Sequence, residues 1–161
     1  MKGEILSQVD FSDLAGSPLF KGMAAKEIEY LSSIFFESRV HEGKTVFIEN
    51  MPGESLYLVK QGAVQVSQML AEVDEQHLTL LGAGDIFGEM AIIDGGIRAA
   101  TARVTKNSIL YSLSQKDFTT LAREKPRLGL QLVLNISRIF SGRIRQAKKD
   151  YHAMLKASLE H

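Results

Sequence analysis

The sequence predicts a mainly β protein with flanking helices, in which an antiparallel β-barrel or jelly roll (a double-stranded β-helix) follows N-terminal helices and precedes a long C-terminal helix. Three observations predict this fold class. Short apolar runs separated by turn residues fill the chain from about residue 38 to residue 114, a pattern typical of antiparallel barrels and jelly rolls. Apolar residues recur at helical spacing before this region, and again over a longer stretch after it.

Length and composition agree with one folded domain. The 161 residues are enough to bury a substantial core, and hydrophobic residues at 45% with charged residues at 24% argue against disorder. The 19 lysines and arginines balance 19 aspartates and glutamates, so we expect no broad electrostatic surface for nucleic acid. The chain has no cysteine, which excludes disulfides and thiolate metal sites and favours a reducing, cytoplasmic location.

We expect an N-terminal segment at residues 1–17 and a single domain at residues 18–156, with the barrel at about 38–114 and the C-terminal helices at about 115–155. Charged residues interrupt the apolar residues at positions 1–13, so we expect no signal peptide. No apolar run approaches the roughly 18 residues that a membrane helix needs, so we expect no membrane contact. Residues 159–161 resemble the remnant of an expression tag.

The first predicted helix spans Ala24–Phe36, where apolar residues recur at steps of three and four. The predicted strands are runs around Val40 and around Val46–Ile48, then Leu56–Val59, Ala63–Ser67, Leu78–Leu81, Thr101–Val104 and Ile109–Leu113. Between two of these runs, Gln61-Gly62 is a turn signal and predicts that the chain reverses direction there.

Two helices are predicted after the strands. Ser114 is a suitable N-cap for the first, and Lys125-Pro126 ends it, because the residue before a proline avoids helical backbone. The second runs to about Met154 and carries one apolar stripe. The stripe consists of Val133, Ile136, Phe140, Ile144, Ala147, Tyr151 and Met154. Because this surface needs a partner besides the barrel, we expect a homodimer through the C-terminal helix, with two-fold symmetry as the simplest form.

One segment between the predicted strands, Phe87–Thr101, has the composition of a nucleotide-binding loop. Glu89 and Arg98 lie nine positions apart on a stretch that is otherwise glycine-rich and apolar, apart from Asp94. A carboxylate can hold a sugar hydroxyl, and a guanidinium can hold a phosphate. The segment therefore predicts a nucleotide pocket, and a structural ion pair between Glu89 and Arg98 is the alternative.

The same segment carries a resemblance to the cyclic nucleotide-binding domain family, of the catabolite activator protein and protein kinase A regulatory subunit type. The similarity rests on Phe87-Gly88-Glu89 and Arg98-Ala99-Ala100-Thr101, and on an upstream run from Gly43 through Pro52–Val59 to Gly62-Ala63-Val64. It covers roughly residues 18 to 155. Two positions depart from the family pattern: Ile97 replaces a usual proline, and Asn50 replaces a common glycine.

The resemblance implies a role for each site residue. In this family the Phe87–Thr101 segment forms a phosphate-binding cassette, which begins at Phe87, and Gly88 lets the ligand approach the backbone. The amides of Met90 and Ala91 face the cyclic phosphate, and Arg98 pairs with that phosphate. Ala99 and Ala100 follow Arg98 in the site. Glu89 accepts the ribose 2′-hydroxyl. Val64, Val66, Leu78 and Leu81 line the sugar and base. Phe140, or Ile136 or Ile139 near it, covers the base; core or dimer packing is the alternative for Phe140.

The resemblance further implies a cyclic nucleotide sensor. Ala99 lacks the hydroxyl that favours guanine at this position in the family, so cAMP is expected in preference to cGMP. Ligand binding is expected to order the cassette, move the C-terminal helix and change a dimer surface or the surface for an unknown protein partner. The alternatives are a ligand-free docking module of the same fold and a sensor fragment of a larger regulator.

No enzyme is predicted. Histidines at positions 41, 77 and 152 lack metal-ligand spacing, and no serine lies in a nucleophile motif. The basic residues Arg138, Arg143, Arg145, Lys148 and Lys149 predict either a solvated helix face or a surface for an acidic partner. Because too few residues follow the long helix to form a helix-turn-helix, we expect no direct binding to DNA.

Overall fold

The fold is a six-stranded antiparallel sheet with helices on either side of it in the chain. The computed structural model describes residues 9–161, so residues 1–8 of the expected N-terminal segment lie outside the described residues. The strands are β1 Phe36–Val40, β2 Thr45–Phe47, β3 Ser55–Met69, β4 Glu75–Leu81, β5 Ile86–Phe87 and β6 Thr101–Ser114. The helices are α1 Ala25–Ser32, α2 Met90–Ile93, α3 Gln115–Glu124 and α4 Pro126–Leu159, after short 3₁₀ turns at Ser12–Leu14 and Pro18–Phe20.

The two longest strands, β3 and β6, form the centre of the sheet. They pair antiparallel from Ser55 opposite Ser114 to Ser67 opposite Thr101. The strand order is β1-β6-β3-β4, with β2 added to β6 and β5 added to β3. The predicted fold class is confirmed in its jelly-roll form, because the sheet rolls around its core without closing into a barrel.

The predicted reversal at Gln61-Gly62 is wrong. β3 continues through both residues, and the pairing with β6 shifts register there instead. Gly62 has a φ of +103°, and a Cβ on it would collide with Ser108, so the glycine marks an irregularity in the pairing, where Ser108 of β6 approaches the backbone of β3 closely. The separately predicted strands 101–104 and 109–113 are likewise one strand, β6.

The first helix is shorter than predicted. It ends at Ser32, and the chain enters β1 at Phe36. The hydroxyls of Ser32 and Ser33 donate to the carbonyl oxygens of Glu29 and Tyr30, at 2.5 and 2.6 Å. Such local bonds compete with continuation of the helix. Phe35 lies between α1 and β1 and is nevertheless buried, because it packs into the hydrophobic core.

The buried apolar residues form two clusters. The larger joins the N-terminal turns, α3 and the first half of α4 to one face of the sheet, and includes Leu19, Leu56, Leu121 and Leu132. The smaller lies inside the roll of the sheet and consists of Val59, Val64, Leu81, Phe87, Ala102, Val104 and Leu110. Phe87, the last residue of β5, connects the loop between β5 and β6 to this inner cluster.

The C-terminal helices begin as predicted. Ser114 caps α3, because its Oγ accepts from the Asp117 amide at 3.0 Å. Pro126 is the first residue of α4, where its missing N–H removes no helical hydrogen bond. Asn135, almost fully buried, donates to the carbonyl oxygens of Leu19 and Lys21 at 2.8 and 2.9 Å. These bonds fix the first half of α4 to the N-terminal turns.

The second half of α4 is different. It runs five residues beyond the predicted end at Met154 and includes Leu159, the first of the three residues that resemble a tag. The buried positions of α4 stop at Ile136, whereas Ile144 and Tyr151 are more than half exposed. The apolar stripe is therefore covered by the domain only in its first half. None of the helices in residues 9–161 combines the length and apolar character needed to cross a membrane.

Candidate functional site

A cavity of about 810 Å³ lies between the β3–β4 hairpin, the segment Phe87–Thr101 and the second half of α4. This volume is within the range of small-molecule sites, roughly 300–1,000 Å³. The sheet and hairpin contribute Phe47, Val66, Gln76, His77, Leu78, Thr79 and Leu81. The segment contributes residues 87–91 and 97–100, and α4 contributes Arg143, Gln146, Ala147, Asp150, Tyr151 and Met154.

The segment folds as a strand, one helical turn and a loop. β5 ends at Phe87, α2 follows from Met90 to Ile93, and the chain re-enters the sheet at Thr101. Gly88 has a φ of +70°, and a Cβ on it would lie 2.6 Å from Nη1 of Arg98 and 3.0 Å from the Ser55 carbonyl oxygen. A Cβ on Gly53 would collide with Nε of Arg98. Both glycines therefore make room for the guanidinium.

Arg98 is a buried cation without an anionic partner. Only 6% of the residue is exposed. Nη1 donates to the carbonyl oxygens of Ser55 and Gly88, at 2.9 and 3.2 Å, and the guanidinium lies 4.0 Å from the ring centre of Phe47. Nε has no hydrogen-bond partner in the structure of residues 9–161, and none of the carboxylates there forms a salt bridge with Arg98. Burial consequently lowers the pKa of Arg98.

Glu89 pairs with a residue of α4. It is 8% exposed, and its Oε2 lies 3.4 Å from Nη1 of Arg143. The other terminal nitrogen of Arg143 donates to the carbonyl oxygen of Ile86. The structure thus contradicts the alternative of a structural ion pair between Glu89 and Arg98, because α4 supplies the partner of the carboxylate.

The loop before Arg98 is held by backbone hydrogen bonds to residues 50–52. The Asn50 amide donates to the Arg98 carbonyl, and the Arg98 amide donates to the Met51 carbonyl, both at 2.8 Å. Ile97 forms an isolated bridge with Pro52. Asn50 adopts a φ of +68°, a left-handed conformation that asparagine tolerates. These bonds order the loop that lacks the family's usual proline at position 97.

The structure brings most of the expected site residues to one cavity. All eight in the segment line it, namely Phe87, Gly88, Glu89, Met90, Ala91, Arg98, Ala99 and Ala100, and so do Val66, Leu78 and Leu81. Val64 and Phe140 do not. Val64 is fully covered inside the inner cluster, which also contains its cross-strand neighbour Leu81. Phe140 is half-buried one helical turn before Arg143 and outside the lining.

Sequence reasoning did not assign Arg143, Gln146 and Asp150 to the site. It placed Arg143 in a basic surface and Ala147, Tyr151 and Met154 in a dimer stripe. The sequence did contain a signal for Arg143. Ile136, Phe140 and Arg143 follow one another at steps of four and three, so Arg143 lies on the apolar stripe itself. A charged residue on such a stripe is a candidate for a buried contact. Within residues 9–161, no cluster of three or more metal-ligating side chains is present.

Comparisons with known proteins agree with this geometry. The family model of the cyclic nucleotide-binding domain matches residues 37–125. The cyclic AMP receptor protein of Thermus thermophilus is 34% identical to the chain over 134 residues, which cover 83% of this chain and 60% of that protein. The crystal structure of the T. thermophilus catabolite activator protein matches with a TM-score of 0.76 at 32% identity, over 86% of this chain and 63% of that one.

A second solved structure contains a ligand. The regulatory domain of Toxoplasma gondii PKA, solved with cAMP, matches with a TM-score of 0.60 at 28% identity, over 66% of this chain and 41% of that chain. The chain spans about 60% of the length of the first curated relatives that it matches. The region of similarity includes the sheet, the loop with Glu89 and Arg98, and α3.

Proposed function

The chain belongs to the cyclic nucleotide-binding domain family, and we propose that it binds a 3′,5′-cyclic nucleotide, cAMP in preference to cGMP, in the cavity between the Phe87–Thr101 segment and α4. Ligand binding then changes the position of the second half of α4 and the surface that this half offers to a partner. The chain acts in this proposal as a binding module and not as an enzyme.

The unpaired guanidinium of Arg98 carries the proposal. A buried cation without a counter-ion is unfavourable, because its lost hydration is not replaced. The carbonyl oxygens of Ser55 and Gly88 satisfy only Nη1, and Nε remains without a partner in the described part of the chain. A phosphate accepts from a guanidinium in a bidentate, charge-assisted geometry. It would satisfy the remaining donors and replace the missing negative charge.

Glu89 supports the assignment of the sugar. Its carboxylate is buried beside the cavity and is paired only loosely, at 3.4 Å, with Arg143. A ribose 2′-hydroxyl can donate to such a carboxylate, and the phosphate of a cyclic nucleotide then lies toward Arg98. The preference for adenine rests on Ala99, which lines the cavity and carries no hydroxyl. The T. thermophilus relative, a cyclic AMP receptor protein by name, supports the same preference.

Isothermal titration calorimetry with cAMP and cGMP tests this proposal. We expect the wild-type protein to bind cAMP more tightly than cGMP, and Arg98→Ala to weaken cAMP binding by about 2–5 kcal/mol, the usual cost of leaving a buried charge without its partner. Arg103→Ala is the matched control, because Arg103 is exposed on β6 outside the cavity. Circular dichroism verifies that each variant is folded.

Two results would contradict the proposal. Wild-type protein that takes up no cyclic nucleotide favours the ligand-free docking module of the same fold. A folded Arg98→Ala variant with unchanged affinity shows that the phosphate lies elsewhere.

Arg143 supports the coupling between ligand and helix. It connects α4 to the carboxylate of Glu89 and to the carbonyl of Ile86, and beyond Ile139 the helix contributes nothing to the two core clusters. A ligand that contacts both the Phe87–Thr101 segment and α4 binds one helix position better than others and shifts the population toward it.

The exposed half of α4 also supports self-association. Ile144 and Leu155 are each more than two-fifths exposed and lie outside the cavity, and an antiparallel or parallel pairing with a second copy would cover them in a two-fold dimer. The expectation that the chain does not bind DNA stays a prediction, because the regulators that it resembles are longer than the region of similarity.

A further inference from the structure

A row of basic side chains follows α4 on the side that faces away from the cavity. Arg145, Lys149, His152 and Lys156 succeed one another at steps of four, three and four, and all four are exposed. Residues at such steps lie on one face of a helix. These four residues, none of which lines the cavity, are called the basic row below.

Helix geometry separates the basic row from the two other surfaces of this half of α4. Three of its members follow a cavity-lining residue by two positions, about 200° further round the axis, and therefore lie opposite the cavity. Arg145 also follows Ile144 by one position, and Lys156 follows Leu155 by one position. The row thus lies about a quarter of a turn beyond the apolar residues of the proposed dimer surface. Neither a ligand nor that dimer covers it directly.

The chain itself supplies no negative charge to the row. Asp150 is the only acidic residue between positions 140 and 158, and it lies on the cavity side. No salt bridge within residues 9–161 includes a member of the row. Arg145 instead precedes Lys149 by four positions, a spacing at which like charges on a helix repel each other. A helix face that met only water would be more stable with an acidic residue at one of these positions.

The helix dipole accounts for only one member of the row. Cations are favourable within the last turn of a helix, and Lys156 lies in the last turn of α4. Lys149 and Arg145 precede the helix end at Leu159 by ten and fourteen residues, which is about 15 and 21 Å along the axis. Neither the dipole nor a carboxylate of residues 9–161 therefore offsets the charge of these two side chains.

Two small residues flank the row on one side. Gly142 lies three positions before Arg145, and Ala153 lies four positions after Lys149. A Cβ on Gly142 would meet no atom within 4 Å, so packing within the described chain does not require the glycine, although glycine is less favourable than alanine inside a helix. The absence of large side chains here leaves room for another helix to approach beside the cations.

Three properties favour an acidic helix of another protein over other anionic partners. The steps of four, three and four are the same in both directions, so they match acidic residues on one face of a parallel or an antiparallel helix. The chain has 19 basic and 19 acidic residues in total, so it has no broad positive field to attract nucleic acid. The row contains no large apolar side chain that would enter a lipid surface.

We propose that the basic row is the docking surface for a helix of a partner protein that presents glutamates or aspartates at the same steps. This inference goes beyond the proposed function, because the row is present whether or not the cavity holds a nucleotide. It adds the chemistry of the partner, an anionic helix face that binds the same half of α4 whose position the ligand is proposed to change.

Fluorescence anisotropy with a labelled synthetic peptide tests the inference on the whole chain. The probe is an alanine-based helical peptide with glutamates at steps of four, three and four. A control peptide has the same composition, with its glutamates spread around the helix. The test variant is Arg145→Glu/Lys149→Glu. Its matched control is Lys106→Glu/Arg123→Glu, which makes the same change in net charge at exposed residues of β6 and α3.

We expect the wild type and the matched control variant to bind the probe at least tenfold more tightly than the control peptide, with affinity that falls as salt is added. Arg145→Glu/Lys149→Glu should lose this preference. The same variant should instead bind a peptide in which lysines replace the glutamates of the probe. That gain, together with circular dichroism, shows that the helix is folded and that only its charge is reversed.

Three results would overturn the inference. Equal affinity of the wild type for the probe and the control peptide, or binding to neither, shows that the row is a solvated helix face. Probe binding that survives in Arg145→Glu/Lys149→Glu shows that the contact lies elsewhere. Tighter binding of a DNA or RNA duplex, or of phosphatidylserine vesicles, that is lost in this variant assigns the row to nucleic acid or to a membrane. All peptide titrations are made without cyclic nucleotide, so their outcome is independent of whether the cavity binds cAMP.

Discussion

Gly88→Ala tests whether the Phe87–Thr101 segment is built around the guanidinium of Arg98. Two costs are expected. The residue adopts a φ of +70°, a left-handed conformation that costs a residue with a Cβ about 1–2 kcal/mol. In addition, the new Cβ would lie 2.6 Å from Nη1 of Arg98 and 3.2 Å from the Phe47 ring. Such overpacking typically costs about 1–3 kcal/mol, so we expect a total loss of about 2–5 kcal/mol in the free energy of unfolding.

Gly43→Ala separates the two costs. Gly43 has a φ of +84° and no neighbouring atom within 4 Å of a built Cβ, so this variant should lose only the conformational part, about 1–2 kcal/mol. Urea denaturation gives the stability of each variant, and calorimetry gives its affinity for cAMP. Gly88→Ala should bind cAMP at least about tenfold more weakly than Gly43→Ala, because its Arg98 is displaced from the carbonyls of Ser55 and Gly88.

Equal stability losses in the two variants would show that the guanidinium moves aside without strain. Equal affinities would show that its place beside Gly88 has no part in binding. Either result refutes the view that the glycine is required by the close approach of Arg98.

Two further predictions concern α4. Arg143→Met should speed amide hydrogen exchange in residues 144–158, because it removes the contacts to Glu89 and Ile86. Arg145→Met is the control and should leave exchange unchanged, because Arg145 lies on the exposed face of α4 outside the cavity. Equal protection in both variants would show that Arg143 does not hold the helix. Multi-angle light scattering should give twice the chain mass of 17.8 kDa, and Ile144→Glu should shift the protein toward the monomer, because a charge at this exposed position opposes burial in an interface. A wild-type monomer mass at every concentration, with and without cAMP, would rule out the dimer.

Local sequence determines the elements that were predicted well. The N-cap at Ser114 and the proline at the start of α4 each depend on a few adjacent residues. The loop with Glu89 and Arg98 is recognisable for the same reason, since its glycines and its charged residues have a fixed spacing. All eight site residues that were expected in this segment line the cavity.

Tertiary contacts decide the elements that were predicted wrongly. Gly62 has the sequence of a turn, yet β3 continues through it in its pairing with β6. The glycine is needed there because Ser108 of β6 occupies the space that a side chain would fill. Val64 follows the alternation of a cavity wall, but it is buried in the inner cluster together with Leu81 of the paired strand. Neither outcome is visible in a single strand, since both depend on which strand lies beside it.

The second half of α4 shows why the site was only partly predictable. Its apolar stripe was interpreted as a dimer surface, whereas Ala147, Tyr151 and Met154 line the cavity. Ile144 and Leu155 lie on the same half of the helix, are exposed and stay outside the lining. A ligand in the cavity therefore contacts the same helical turns whose outer side would pair with a second copy. In the proposed function, coupling between nucleotide and partner needs no long pathway, because a change in the position of these turns would alter both contacts at once.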